Sequence, residues 1–243
     1  MKEKIEGIVI SETPYSETSK IINILTKDGI VGCMAKGAKN IKSNLRIGTN
    51  KITKAEFIIL NKKDKLSTLT SVDVLSDYKN IKKDITKISY ATYIIELATQ
   101  VMKHNQSEEI YNLLISSLDK INDDFDALTI TNILELKYLE YLGVMPIIDS
   151  CSSCGSKTNI VTLSSSRGGY VCKNCHKNER VVSEKTIKLI RMFYYVDINK
   201  ISKLDISSKS KMEISDFLDE YYDRYTGLFL KSKILLKNIN KVS

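Results

Sequence analysis

Four of the five cysteines in this chain of 243 residues fall into two pairs, Cys151-Ser-Ser-Cys154-Gly and Cys172-Lys-Asn-Cys175, with 17 residues between them. Thiolates three positions apart can turn toward one point, and two such pairs supply the ligands of a tetrahedral metal site. Gly155 follows the second thiolate, where a knuckle turn favours positive φ, and Gly168-Gly169 allow a return hairpin between the halves. Disulfides conflict with the cytosolic character read below. A redox C-x-x-C needs only one pair beside a βαβ pattern, which is missing. Iron in an all-sulfur site satisfies the same spacing, while the knuckle context favours zinc. The expectation is one structural Zn²⁺ held by Cys151, Cys154, Cys172 and Cys175, because four thiolates leave no open position for a reactive water.

Little else in the sequence carries reaction chemistry. There is no phosphate-binding G-x-x-x-x-G-K-[ST], no G-x-G-x-x-G after a strand, no H-E-x-x-H and no G-x-S-x-G. The two histidines, His104 at a helix end and His176 after the last ligand, have no evident catalytic partner. Acidic pairs such as Glu108-Glu109 and Asp123-Asp124 sit where helix starts attract negative charge. Cys33 lies in a strand pattern and reads as a small buried hydrophobe. A binding protein is expected rather than an enzyme.

Charge points to what is bound. The chain carries a net +8, distributed as +5 over residues 1–80, −5 over 81–150, +4 over 151–180 and +4 over 181–243. Two basic ends around an acidic middle suit a polyanionic partner. The densest stretch, Lys36 to Lys65, is +7 and includes Lys36, Lys39, Lys42, Arg46, Lys51 and Lys54. These six are the expected phosphate contacts, displayed on a loop between two strand patterns.

The elements that must position these groups follow from hydrophobic period. Glu3–Ser11, Lys20–Thr26, Ile30–Ala35, Ala55–Asn61 and Leu66–Leu75 read as β-branched strands bounded by turn signals. Five short strands with a longer basic link between the third and fourth suit a small barrel, either an OB-fold or an SH3-like one. Beyond Tyr78 the spacing becomes helical. Helices are expected over Ile81–Lys103, from an N-cap at Ser107, over about Ala127 to Leu142 with Gly143 closing it, over Glu184–Tyr195 behind Ser183, and over Met212–Leu228. The tail cations Lys231, Lys233, Lys237 and Lys241 extend a nucleic-acid track, meet an acidic peptide, or decorate a solvated final helix. The N-terminal apolar run Gly7–Ile10 is too brief for a signal-peptide core, and no apolar stretch reaches the roughly 18 residues of a membrane span. A cytoplasmic protein with no membrane partner is expected.

Several motifs together resemble the RecO family of DNA repair proteins. They are Gly7-Ile-Val-Ile, Tyr15-Ser-Glu-Thr-Ser-Lys-Ile, Leu25-Thr-Lys-Asp-Gly and Ala35-Lys-Gly-Ala-Lys-Asn-Ile-Lys-Ser in the first half. In the second half they are Leu136-Lys-Tyr-Leu-Glu-Tyr-Leu-Gly-Val-Met-Pro, the two C-x2-C pairs, Gly168-Gly-Tyr-Val and Leu230-Lys-Ser-Lys-Ile-Leu-Leu. The resemblance spans nearly the whole chain in order. Asn40-Ile41 stands where the family often has Arg-Pro, which weakens one basic contact.

The resemblance implies an α+β, multidomain protein: an N-terminal OB-fold β-barrel over 1–78, then a mainly α-helical domain over 79–243 carrying a four-cysteine zinc-finger insertion at about 148–180. It implies a nucleoid-associated recombination mediator that binds single- and double-stranded DNA and anneals complementary strands. With RecR it helps load RecA onto strands covered by single-strand-binding protein (SSB), and the acidic C-terminal tail of SSB is then the acidic peptide that the tail cations would meet if they do not extend the DNA track. Two readings from other classes compete with it, a zinc-ribbon nucleic-acid enzyme such as a metal-dependent nuclease and a zinc-stapled protein-interaction adaptor. Of the aromatic residues in 1–80, only Tyr15, Phe57 and Tyr78, Phe57 is expected in the core, so binding is expected to be mostly electrostatic.

Overall fold

Strand β2 (Lys20–Thr26) is almost entirely β-branched or aliphatic, and it buries Ile22, Ile24 and Leu25. A computed structural model, which describes residues 1–62 and 65–239, places it between β1 (Lys2–Pro14) and β3 (Gly29–Ala35). Lys63 and Asp64 of the basic stretch and Lys241 of the tail lie outside the described residues. With β4 (Lys54–Lys62) and β5 (Lys65–Ser76), the sheet closes in the order β1-β2-β3-β5-β4. β1 pairs antiparallel with β4 and so seals the barrel, while β3 and β5 run parallel through Cys33↔Ser67 and Met34↔Thr68. That closed five-stranded topology makes this an OB-fold barrel rather than an SH3-like one.

Closure removes free sheet edges and turns one face of every strand inward. The interior is filled by Val9, Ile22, Ile24, Cys33, Phe57, Ile59 and Leu69, so Cys33 is the buried hydrophobe its strand position suggested. At roughly 1.5–3 kcal/mol per fully buried large aliphatic or aromatic side chain, this cluster is the main stabilising element of the barrel.

The chain divides into two compact units, Met1–Asn122 with the residues from Ser232 onward, and Asp123–Lys231. In the first, the barrel is joined by α1 (Lys79–Lys82), α2 (Ile85–His104), α3 (Glu108–Asn122) and α7 (Lys231–Ile239). The expected single helix from Ile81 is broken because Asp84 adopts an extended backbone and accepts the N–H groups of Thr86 and Lys87, which restarts the helix. Tyr78 ties barrel to helices, buried and donating its hydroxyl to Asp119 at 2.9 Å. The last helix is not simply solvated: Ser232 and Leu236 are buried, and Glu96 of α2 accepts the Ser232 N–H at 2.8 Å.

In the second unit α4 (Ala127–Tyr141) is buried on nearly every face, as expected of a central helix. It ends in a Schellman arrangement, with Gly143 N–H on the Glu140 carbonyl and Val144 N–H on that of Leu139. α5 (Glu184–Tyr195) and α6 (Ser208–Tyr225) pack on it. α6 starts earlier than its apolar period suggests because Ser207 caps it by accepting the Ser210 N–H. Between α4 and α5 the hairpin β6 (Ile160–Ser164) and β7 (Gly169–Cys172) joins the two cysteine pairs.

Candidate nucleic-acid interface and metal centre

The link between β3 and β4, residues 36–53, is a run of turns rather than a slack loop. Asn40 N–H reaches the Gly37 carbonyl, Ser43 that of Asn40, Arg46 that of Ser43 and Asn50 that of Ile47, each at 3.1 Å. Its inner side is packed: Ala38, Thr49, Ile52 and Thr53 are buried. Gly48 lies so close to β5 that a Cβ there would fall 2.4 Å from Val72 Cγ2, which explains the glycine by close approach.

Three anchors hold this run to the barrel. Lys39 donates its N–H to the Thr18 carbonyl at 2.9 Å and its Nζ to the Ser16 carbonyl at 3.0 Å, docking the run onto the β1–β2 turn. Lys20, buried on β2, bridges Glu12 Oε2 at 2.5 Å and Asn50 Oδ1 at 3.1 Å. Ile52 and Thr53 exchange backbone hydrogen bonds with Val9.

On this rigid support Lys36, Lys39, Lys42 and Arg46 are exposed, and none has a carboxylate partner among the described residues. Lys51 is half-buried and likewise unmatched. Lys54 differs, because its ammonium is paired with Glu6 on β1 at 3.0 Å. The structure therefore gathers five of the six expected cations as unneutralised charge and leaves the sixth largely cancelled. Lys4 and Lys27 show the contrast, standing against Glu56 at 2.8 Å and Glu108 at 3.4 Å. In the tail, the Lys233 ammonium is buried, which withdraws it from any surface track.

Two features escaped the sequence reading. Lys20, read only as the first residue of a strand, is an internal anchor whose role depends on a residue thirty positions away. Tyr15 is the one exposed aromatic of the barrel, since Phe57 and Tyr78 are buried.

The four cysteines converge in the second unit. Their sulfurs all lie within 4.8 Å of one another, and Cys154 and Cys172 are 3.7 Å apart. A tetrahedron with metal–sulfur bonds of ~2.3 Å has sulfur–sulfur edges of about 3.8 Å, so the cage fits a single ion. The knuckles are made by backbone bonds: Gly155 N–H to the Cys151 carbonyl at 2.8 Å, and Cys175 and His176 N–H to the Cys172 carbonyl at 3.0 and 2.9 Å. Gly155 has φ +75°, as the knuckle reading required. Cys151 and Cys172 are buried, Cys175 is half-buried and Cys154 is exposed.

Electrostatics within the cage favour a cation. Burial opposes ionisation of Cys151, but N–H groups of Cys172, Ser153 and Cys154 outweigh it and hold that thiol down to about 6. Hydrogen bonding to Cys154 and Cys172 pushes Cys175 up to about 12. Four sulfurs this close can all be thiolates only around a positive ion. His176 Nε2 lies 2.7 Å from the Glu179 carbonyl and is engaged there, outside the cage. Among the described residues this quartet is the one group of His, Cys, Asp or Glu placed to hold a metal.

The family model of the recombination protein O N terminal matches residues 1–78, and that of the recombination protein O C terminal matches residues 82–234. The chain belongs to the RecO family. DNA repair protein RecO of Listeria monocytogenes serotype 4b (strain CLIP80459) is 34% identical over 244 residues, covering 98% of this chain and 95% of its own. DNA repair protein RecO of Bacillus cereus (strain AH187) is 34% identical over 248 residues, covering 99% of both chains. The match to the N-terminal RecO model spans the barrel and its cationic run, and the match to the C-terminal one spans the cysteine cage. No described helix of this RecO family DNA repair protein is long and apolar enough to cross a membrane.

Proposed function

We propose that this RecO family DNA repair protein is a recombination mediator that binds single- and double-stranded DNA on its barrel and anneals complementary strands. With RecR it helps load RecA onto strands coated by SSB, whose acidic C-terminal tail it engages, and it works in the cytoplasm on the nucleoid. The observation that carries this reading is the set of exposed, unneutralised cations Lys36, Lys39, Lys42 and Arg46 on a run of turns anchored to the barrel. A preformed cationic surface neutralises phosphates without the entropic cost of ordering a loop, and it does so irrespective of base sequence. Two strands that repel one another can then meet on one surface, with no nucleotide hydrolysis.

The metal in this reading is one Zn²⁺ held by Cys151, Cys154, Cys172 and Cys175, and it is structural. When bound, it cross-links the two knuckles; the four thiolates occupy every tetrahedral position. The protein is read as a non-enzyme. The test is annealing of complementary oligonucleotides coated with the cognate SSB, without ATP. Acceleration by the wild-type chain, lost on charge reversal at Lys36 and Lys39, is expected. No acceleration, or divalent-metal-dependent cleavage of the strands, would overturn the mediator reading.

A further inference from the structure

The barrel's exposed cations account for phosphate contacts but not for any contact with bases. Base faces are apolar and flat, and proteins that hold single strands usually offer an aromatic ring to them. The β1–β2 turn presents one. Tyr15 is 60% exposed, and its backbone is pinned by its N–H to the Ser19 carbonyl at 3.1 Å. The carbonyl of its neighbour Ser16 accepts the Lys39 ammonium at 3.0 Å, so the turn that carries Tyr15 and the cationic run are joined by a direct hydrogen bond. Gly37 N–H reaches Ser19 Oγ at 3.3 Å and tightens the same seam.

The cationic run itself shows apolar groups to solvent. Ile41 is 83% exposed and Ile47 58%, interleaved with Lys42 and Arg46, although the run's inner side already buries Ala38 and Ile52. Exposed aliphatic and aromatic groups set among unneutralised cations match a ligand whose charge and flat apolar faces alternate along its length. A duplex hides those faces in its stack; a single strand exposes them. Charge complementarity and this alternation both favour single-stranded DNA as the occupant.

We infer that Tyr15 is a base-stacking residue for single-stranded DNA, seated beside the phosphate-holding cations of the 36–46 run. The inference rests on the DNA-binding reading above and adds strand discrimination to it. Stacking on one aromatic ring is worth ~1–3 kcal/mol per base, which is about 5- to 150-fold in affinity.

The test measures binding of oligo-dT and of a duplex by fluorescence anisotropy across a salt series. Tyr15→Ala is expected to weaken oligo-dT binding by about 5- to 150-fold while duplex affinity and the salt slope stay within twofold. Tyr15→Phe, which keeps the ring, is expected to restore oligo-dT binding to within twofold of wild type. Because the chain has no tryptophan, Tyr15→Trp supplies a single reporter whose emission oligo-dT should quench and duplex should not. An equal loss on both ligands, or no loss at all, would sink the stacking role while leaving the DNA-binding reading intact. A wild-type chain that binds neither ligand would remove both.

Discussion

Lys20 Nζ lies 3.1 Å from Asn50 Oδ1, so a buried ammonium on β2 holds the far end of the cationic run. The same ammonium pairs with Glu12 at 2.5 Å, and its side chain is 8% exposed against 37% for Glu12. Lys20→Met is therefore expected to destabilise the first unit by about 1–3 kcal/mol, through polar partners left unmatched. Lys36→Met, at an exposed site, should stay within about 0.5 kcal/mol of wild type. Urea denaturation compares the two, and equal midpoints would show that Lys20 is an ordinary surface charge.

Salt dependence separates free cations from cancelled ones. Each phosphate neutralised contributes ~0.9 to the slope of log K against log salt for duplex and ~0.7 for a single strand. Alanine at Lys36, Lys42 or Arg46 is expected to make the slope shallower by about that much each. Lys54→Ala should change it by well under half as much, because Glu6 already takes the charge at 3.0 Å. A Lys54 effect equal to that of Lys42 would mean that the ion pair opens on binding.

Local signals account for what could be read from sequence. β2 runs Lys20–Thr26 and α5 runs Glu184–Tyr195 behind a Ser183 cap, as their β-branched run and capping residue indicate. The cysteine cage was also legible, because both knuckles are short-range turns and only the hairpin between them had to close. What could not be read depends on register across strands. Lys54 faces Glu6 because β4 pairs with β1 through Glu6↔Glu56 and Gly7↔Ala55, a pairing set by barrel closure. Lys20 is buried, and Tyr15 is exposed, for reasons equally remote from their sequence neighbours. The break before α2 was local but ambiguous, since Asp84 interrupts an apolar period that continues on both sides.

Asp126 tests the second unit at its central helix. It caps α4 by accepting the Thr129 N–H at 2.9 Å, and it pairs with Lys211 of α6 at 3.0 Å. Burial tends to raise its carboxyl, but the hydrogen bonds from Thr129 and Lys211 outweigh this and hold it below its ordinary 3.8. A depressed folded-state value means that its stabilisation is whole above 3.8 and drains away as pH falls through the folded value. Asp126→Ala is expected to cost about 1 kcal/mol near neutrality. The gap between variant and wild type should close in acid, as urea titrations at stepped pH would show. A gap that persists undiminished at the lowest pH would mean that the carboxylate charge contributes nothing.

The cage makes the strongest demand on the second unit, because its ligands must be thiolates to bind and protons compete for them. One equivalent of zinc per chain is expected by elemental analysis, with no visible absorbance; a charge-transfer band would identify iron instead. Metal should be released as pH falls, more steeply than a single proton would cause, since several sulfurs are protonated together. Cys154→Ser removes the exposed ligand with the least disturbance to packing, and it should weaken metal binding by at least the ~10–100-fold that lesser changes around metal sites cost. Chelation should lower the melting temperature of the second unit by exposing the small core of Cys151, Val171 and Cys172. The barrel has its own core of Val9, Ile22, Phe57 and Leu69, so oligo-dT binding at its cationic run should persist in the chelated protein. Loss of DNA binding on chelation, at a temperature where the barrel remains folded, would show that the knuckles themselves touch the strand.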